Sequence, residues 1–484
     1  MRFYLLISIS CIFSFQLLAQ RHNKIDSLKL RLSNSKSNLE KVSVLNHLWN
    51  EHINNDVEQA LHYSEDIIQL GQQLKIDTIY SFGLERKAVC YAYLNNFDSS
   101  GVYFMKALNR YRVHNDFSKM AGIQRNLGQD HNMIGNLDSA FYYYDKSEKN
   151  YGKVNDSIGV ADIYNSKAIV YLMKGYFKLA LEKAIKAEKI FVKNTKPIEL
   201  NQNRMVIASI YSEMKDTLNA IEYYKKITDY FRVQKQKRQV FATLNLLAGL
   251  QIPNPALDHE TKTIIDELIA LSNELKDPSL IDDAYEKSAN FQFRNNEFEK
   301  AKNIYQTLVE SSFSRGDTYS YAENNINLGK TLLVLKEYKK AISTLEKAKS
   351  EADKLNVESL QLIINQLLSQ AYEAVGDYKN SLTHFKAFKS LSDTIYNIQS
   401  TNRFSELQTI FESEKKEAEI SLQNEEIKTL NAQAKNDRLT KTIYGIGMFS
   451  MLAISGLLYF GFKQRMKKNK IEQEKQEEIY KQEL

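Results

Sequence analysis

Proline occurs only four times in this chain of 484 residues and glycine only seventeen times. Both residues interrupt helices, so their scarcity favours long unbroken helical runs. Cysteine is almost missing as well. Of the two present, Cys11 lies in the apolar N-terminus and Cys90 stands alone beyond it, which excludes an internal disulfide once that terminus is removed. There is no large excess of one charge. A net charge of +6 argues against nucleic-acid binding by the bulk of the chain, because phosphate neutralisation needs concentrated Lys and Arg. Catalytic signatures are missing too: no Walker-type phosphate loop, no Gly-x-Ser-x-Gly, no His-Glu-x-x-His and no paired cysteines. His47 and His52 are five apart, the wrong spacing for one helical face, and read as surface residues. The carboxylates lie on charged helical faces where no acid–base pair stands out. The reading is a non-enzyme with no cofactor and no metal.

What the chain does have is aromatics, 29 Tyr and 23 Phe, and two long apolar runs. The first follows Met1-Arg2 and extends from Phe3 to Ala19. A basic start, an apolar stretch and a small residue are the order of a secretory leader, read here as 1–19 with cleavage near Ala19. A retained N-terminal anchor is the alternative. The second run, Thr442 to Phe462, contains no charge. As a helix rising ~1.5 Å per residue it spans about 31 Å, matching a hydrocarbon core of ~30 Å. Tyr444 and Tyr459 fall near its ends, where aromatic rings favour the interface. Lys463, Arg465, Lys467, Lys468 and Lys470 follow it with no acid among them, against Lys435, Arg438 and Lys441 with Asp437 before it. That bias places the C-terminus in the cytoplasm. The expected location is the inner membrane, single-pass, with the N-terminal region extracytoplasmic and 463–484 a basic-then-acidic helical tail.

Between the two runs the sequence repeats. Small or apolar lead residues recur at Leu48, Ala88, Gly128, Ala168, Ala208, Ala248, Ala289, Gly329 and Ser369. The step between them is ~40 residues throughout, a period that marks repeat architectures. After Gly128 come Gly135, Leu137, Ala140, Tyr144 and Ser147. After Ala168 come Tyr171, Gly175, Phe177, Ala180, Ala184 and Ala187. Each unit therefore holds two amphipathic runs separated by a turn, a helical hairpin. Small residues mark close helix approach and aromatics fill the gaps. One hairpin cannot bury its apolar face alone, so the units must stack. Turn residues recur between units: Asn115-Asp116, Asn155-Asp156, Lys196-Pro197, Asp277-Pro278 and Gly316-Asp317.

The pattern small-x2-Tyr…Gly-x-Phe/Tyr-x2-Ala-x3-Phe/Tyr-x2-Ala resembles the tetratricopeptide repeat, over roughly Leu48 to Lys389. That family's unit is usually about 34 residues; the longer unit here is expected to extend helix ends and inter-unit loops. The resemblance implies an all-α fold, an α-α superhelical solenoid of about nine units over 48–390, preceded by a helical cap (20–47). It also implies a groove, lined by first helices, that binds a peptide or protein. Arg125, Asn126, Gln129, His131 and Asn132 are polar in the third unit's first helix, and Asn165, Asn327 and Lys330 occupy comparable places. They are candidates to hold a peptide backbone or carboxylate, against the reading that they are ordinary solvated positions.

Residues 400–441 have neither Gly nor Pro and read as one charged helix entering the membrane. Phe404, Leu407 and Phe411 have coiled-coil spacing; Ile420, Ile427, Leu430 and Ala434 form a second, offset seam. The two outcomes are a homodimer through 404–441 or, for the first half, a helix packed back on the last repeat. The whole arrangement is similar to bacterial single-pass regulators with extracytoplasmic tetratricopeptide repeats, whose chains continue into a histidine-kinase or helix-turn-helix output domain. Residues 463–484 are too few for either, so the expectation is a lost output module or a truncated chain.

Overall fold

The structure, a computed structural model, describes residues 18–482. All but the last two residues of the leader read over 1–19, with Cys11, lie outside the described residues. Among those described there are nineteen α-helices, one 3-10 turn (Pro255–Leu257) and no strand. Helix α1 (Leu18–Asn34) precedes nine successive pairs. These are α2 (Asn38–His52) with α3 (Val57–Leu74), α4 (Asp77–Tyr93) with α5 (Phe97–Val113), and α6 (Phe117–Met133) with α7 (Leu137–Lys153). Next are α8 (Ser157–Lys174) with α9 (Phe177–Lys193), α10 (Pro197–Glu213) with α11 (Thr217–Val233), and α12 (Lys237–Gln251) with α13 (Asp258–Leu275). The last are α14 (Pro278–Arg294) with α15 (Phe298–Ser314), α16 (Thr318–Val334) with α17 (Tyr338–Leu355), and α18 (Glu358–Ala374) with α19 (Tyr378–Gln482). Two compact units divide the chain, the first ending at Glu406 and the second beginning at Leu407.

The repeat explains the local structure. All nine lead residues are buried. At Gly128 a Cβ would stand 2.5 Å from Cε1 of Tyr144, and at Gly329 2.6 Å from Cδ2 of Leu345, so the second helix sits directly against the first. Ala60, Ala140, Ala180, Ala220, Ala301 and Ala341 mark the matching place on the second helices, and each is fully buried. Phe104, Tyr144, Tyr224 and Tyr305 fill the space one turn further on. Each such ring, taken out of water, contributes roughly 1.5–3 kcal/mol. The core passes from hairpin to hairpin: Ala208, Tyr224, Phe241, Leu244, Leu268 and Ala284 form one cluster drawn from α10 to α14. His52 is not the surface residue its spacing suggested, since its ring packs against Tyr63 with centroids 5.5 Å apart.

The turns are equally regular. Linkers such as 94–96, 114–116 and 134–136 are three residues long between helices of 17. The added length of the unit therefore goes into the helices and not into loops. The middle linker residue is left-handed, as at Asn115 (φ 53°), Asn155 (φ 55°) and Gly135 (φ 77°), which ends one helix. The next residue caps the following one: Asp116 accepts from Lys119 N, Asp156 from Gly159 N and Asp317 from Ser320 N. The turn pairs Asn115-Asp116, Asn155-Asp156 and Gly316-Asp317 are these two positions. Lys196-Pro197 and Asp277-Pro278 fall one place later, as cap position and first helical residue.

Within the first unit, first helices also touch the first helices of the next hairpin: α6 on α8, α8 on α10, α12 on α14 and α16 on α18. No two second helices approach as closely among the described residues. The first helices are thus the inner row of the stack and the second helices the outer one.

The second unit is the continuation of α19. The apolar side chains of its 442–462 stretch, Ile443, Phe449, Leu452, Ile454, Leu458 and Phe462 among them, are exposed. It is the one helix among the described residues that is long and apolar enough to cross a membrane.

Candidate functional site

The inner row carries a set of carbonyl oxygens that find no donor in the protein. Asn132 on α6, Asn165 on α8, Asn201 on α10 and Asn245 on α12 each hold a buried Oδ1 without a hydrogen-bond partner. They fall on four consecutive first helices. A buried amide oxygen left unpaired costs about 1–3 kcal/mol, a cost that an ordered water or a ligand donor offsets. First helices packed ~8–10 Å apart are bridged by about three residues of extended peptide at ~3.3 Å each.

A recess on this row lies between α10 and α12, closed at one end by the last turn of α11. It is a cavity of about 140 Å³ with an apolar floor of Ile198, Met205, Tyr230, Phe231 and Ala242. Its polar groups are Asn201, Gln202, Gln234, Gln236, Gln239 and Thr243, and no charged side chain lines it. Asn201 spends its Nδ2 on Pro197 O at 2.7 Å, leaving Oδ1 free. Gln236 precedes α12 but does not cap it, and its Oε1 is buried and unpaired. An apolar floor with two waiting acceptors suits a neutral apolar side chain that brings N–H or O–H donors.

Further along the inner row the character changes. Asp283, Glu286 and Lys287 on α14 face Glu323 on α16. Burial pushes Glu323 up to about 7, Glu286 adding to it while Lys287 opposes. Burial likewise raises Asp283 to about 6, against the pull of Lys287. Lys287 is itself held above its ordinary value despite burial, through Glu286 and Asp283.

The sequence-predicted residues separate into two groups. Arg125 donates to Asp162 Oδ2 at 3.3 Å, a bridge between α6 and α8. Asn126 is half-buried and Gln129 exposed on α6. His131 stacks on Tyr143 at 5.3 Å, and burial lowers its pKa. Asn132 and Asn165 belong to the row of unpaired oxygens. Asn327 and Lys330 lie on α16, with three hairpins between; Lys330 Nζ sits 4.7 Å from the Phe293 ring. Sequence reasoning missed Asn201, Asn245, Gln236 and the acidic cluster. The repeat register could have found Asn245, which stands two steps after Asn165.

A sequence model of the tetratricopeptide repeat matches residues 202–232, which lie in the α10–α11 hairpin beside the recess. No curated protein sequence matches the chain. Several solved structures are similar. The apo quorum sensor NprR from B. thuringiensis is 14% identical over 72% of this chain and 97% of its own, with a TM-score of 0.49. Aspartyl phosphate phosphatase F from Bacillus subtilis is 14% identical over 78% and 95%, with a TM-score of 0.47. The Rap conjugation gene regulator of plasmid pLS20, in complex with the Phr* peptide, is 16% identical over 74% and 96%, with a TM-score of 0.42. Likenesses at this level say nothing about what the chain binds. The matched repeat, the nine helical hairpins and their ordered stacking together make residues 38–406 a tetratricopeptide-like helical solenoid.

Proposed function

We propose that the protein is a non-enzymatic, membrane-anchored binding protein that takes an extended peptide or protein segment along its inner row of helices. The observation that carries this reading is the line of unpaired amide oxygens on Asn132, Asn165, Asn201 and Asn245. Backbone N–H groups of an extended ligand supply the donors, and the recess between α10 and α12 anchors one of its apolar side chains. Arg125, Asn126 and Gln129 border the row on α6; Asn327 and Lys330 extend it on α16. Residues 442–462 form the span, 463–484 the cytoplasmic tail, and the repeats lie on the extracytoplasmic side after removal of a leader over 1–19. The exposed Phe404, Leu407 and Phe411 favour a second reading, in which pairing of this helix makes the protein the sensor part of a transmembrane regulator.

The test is a peptide-library selection on the full chain in lipid nanodiscs, with the Asn165→Leu/Asn201→Leu/Asn245→Leu variant as counter-target. Peptides that bind the natural chain at least tenfold more tightly than the variant are the expected result. Enrichment of peptides that bind both equally, or of none, contradicts it.

A further inference from the structure

One helix start in the outer row is built differently from its neighbours. In the repeat register the residue before the first five second helices is Asp56, Asn96, Asn136, Tyr176 and Asp216; further along, Leu257, Glu297 and Glu337 make no side-chain capping bond. Asp56 accepts from Gln59 N, Asn96 from Ser99 N, Asn136 from Ser139 N and Asp216 from Asn219 N. Tyr176 makes no such bond to its own helix. Its ring stacks on Tyr171 at 6.3 Å instead. The first amides of α9 would be left without an acceptor, a defect worth about 1 kcal/mol or more at a helix start.

They are not left so. Oε1 of Glu406 accepts from Lys178 N at 2.7 Å and from Leu179 N at 3.4 Å, across 228 and 227 residues of sequence. Leu179 occupies the place that Ser99, Ser139 and Asn219 take in the self-capped helices. Oε2 of Glu406 takes Arg403 Nη1 at 2.5 Å, and the Glu406 side chain is 1% exposed. Both carboxylate oxygens are therefore satisfied, on the positive end of a helix, where a carboxylate is most stable. Residue 406 lies well inside α19, roughly eight turns from its start. Nearer that start the helix is held by Tyr372 stacked on His384 and by His384 Nδ1 on Asn365 Oδ1 at 2.8 Å.

We propose that Glu406 is an intramolecular latch: it supplies the cap that Tyr176 cannot, and so fastens the terminal helix to the α8–α9 hairpin. Among the first five hairpins the latch is specific to that one, because a self-capping Asp or Asn already fills the same place on the three before it and the one after. While it is closed, the helix leading to residue 407 is tied to the hairpin that carries Asn165. When it opens, the anchor to α9 is lost while the contacts with α18 remain. The latch does not depend on what the inner row binds.

Spin labels on cysteines introduced at the exposed Lys189 and Thr401 report the latch in the full chain in nanodiscs. A Cys11→Ser background leaves only Cys90, which is buried and does not compete for label. The natural chain should give one narrow distance distribution. Glu406→Ala removes the acceptor and should broaden it. Tyr176→Asn restores a self-cap without touching α19, and should broaden it equally while keeping the helix content and unfolding midpoint of the natural chain or raising the midpoint. Tyr176→Phe should stay narrow. A broad distribution in the natural chain, or a narrow one in either Glu406→Ala or Tyr176→Asn, overturns the proposal.

Discussion

Gly128 is a residue whose absence of side chain has a single cause. Its backbone is ordinary helix, so conformational freedom is not the reason it is there. A Cβ would lie 2.5–3.1 Å from three atoms of the Tyr144 ring, and Tyr144 is 2% exposed with no room to retreat. Gly128→Ala should lower stability by about 1–3 kcal/mol through overpacking, seen as a lower thermal midpoint, whereas at Gly152, where a Cβ meets nothing, the same change should not lower it. The Asn side chains of the inner row follow the opposite logic. They keep a polar oxygen where packing alone would favour carbon, and on the reading proposed above these positions give up stability for binding. The lead residues were legible in the sequence because packing repeats with the unit. The unpaired oxygens were only half legible, since an Asn that caps, an Asn that packs and an Asn that waits for a ligand share one letter.

At the scale of helices, the hairpins were readable because each unit repeats the same punctuation, a left-handed residue and then a cap. Lys215, Lys235 and Lys336 take the left-handed place too (φ 63°, 56° and 61°), which no turn signal in the sequence announces. The meeting of α14 and α16 was invisible for another reason. Asp283, Glu286 and Glu323 influence one another only because the stack brings successive first helices near each other, with about one repeat between them in sequence. Their chemistry gives a prediction with a definite sign. Glu323 is raised from 4.5 to about 7, so the folded state prefers its neutral form. The stability this contributes is complete below about pH 4.5 and is lost as pH rises through about 7. Glu323→Gln should therefore unfold at a higher midpoint than the natural chain at pH 8, with the gap closing by pH 5. A gap that is constant across that range, or that widens on acidification, contradicts the assignment.

For the molecule as a whole, the all-α class and the stacking of nine units were carried by periodicity. The contact of Glu406 with α9 was not, because nothing local links residues more than two hundred positions apart. Two requirements meet in the first unit. In the outer row the start of α9 is sealed through Glu406 and its neighbours through their own caps, while the inner row holds buried amide oxygens without a partner in the protein. The most direct measurement is photo-cross-linking of a selected peptide pool to the full chain in nanodiscs, with a benzophenone side chain placed either at Met205 in the inner-row recess or at Tyr142, which is 54% exposed on the outer helix α7. Peptide adducts are expected at 205 and none at 142, with the 205 adducts lost on Asn201→Leu. Equal labelling at both positions, or labelling at 142 alone, would contradict a binding inner row.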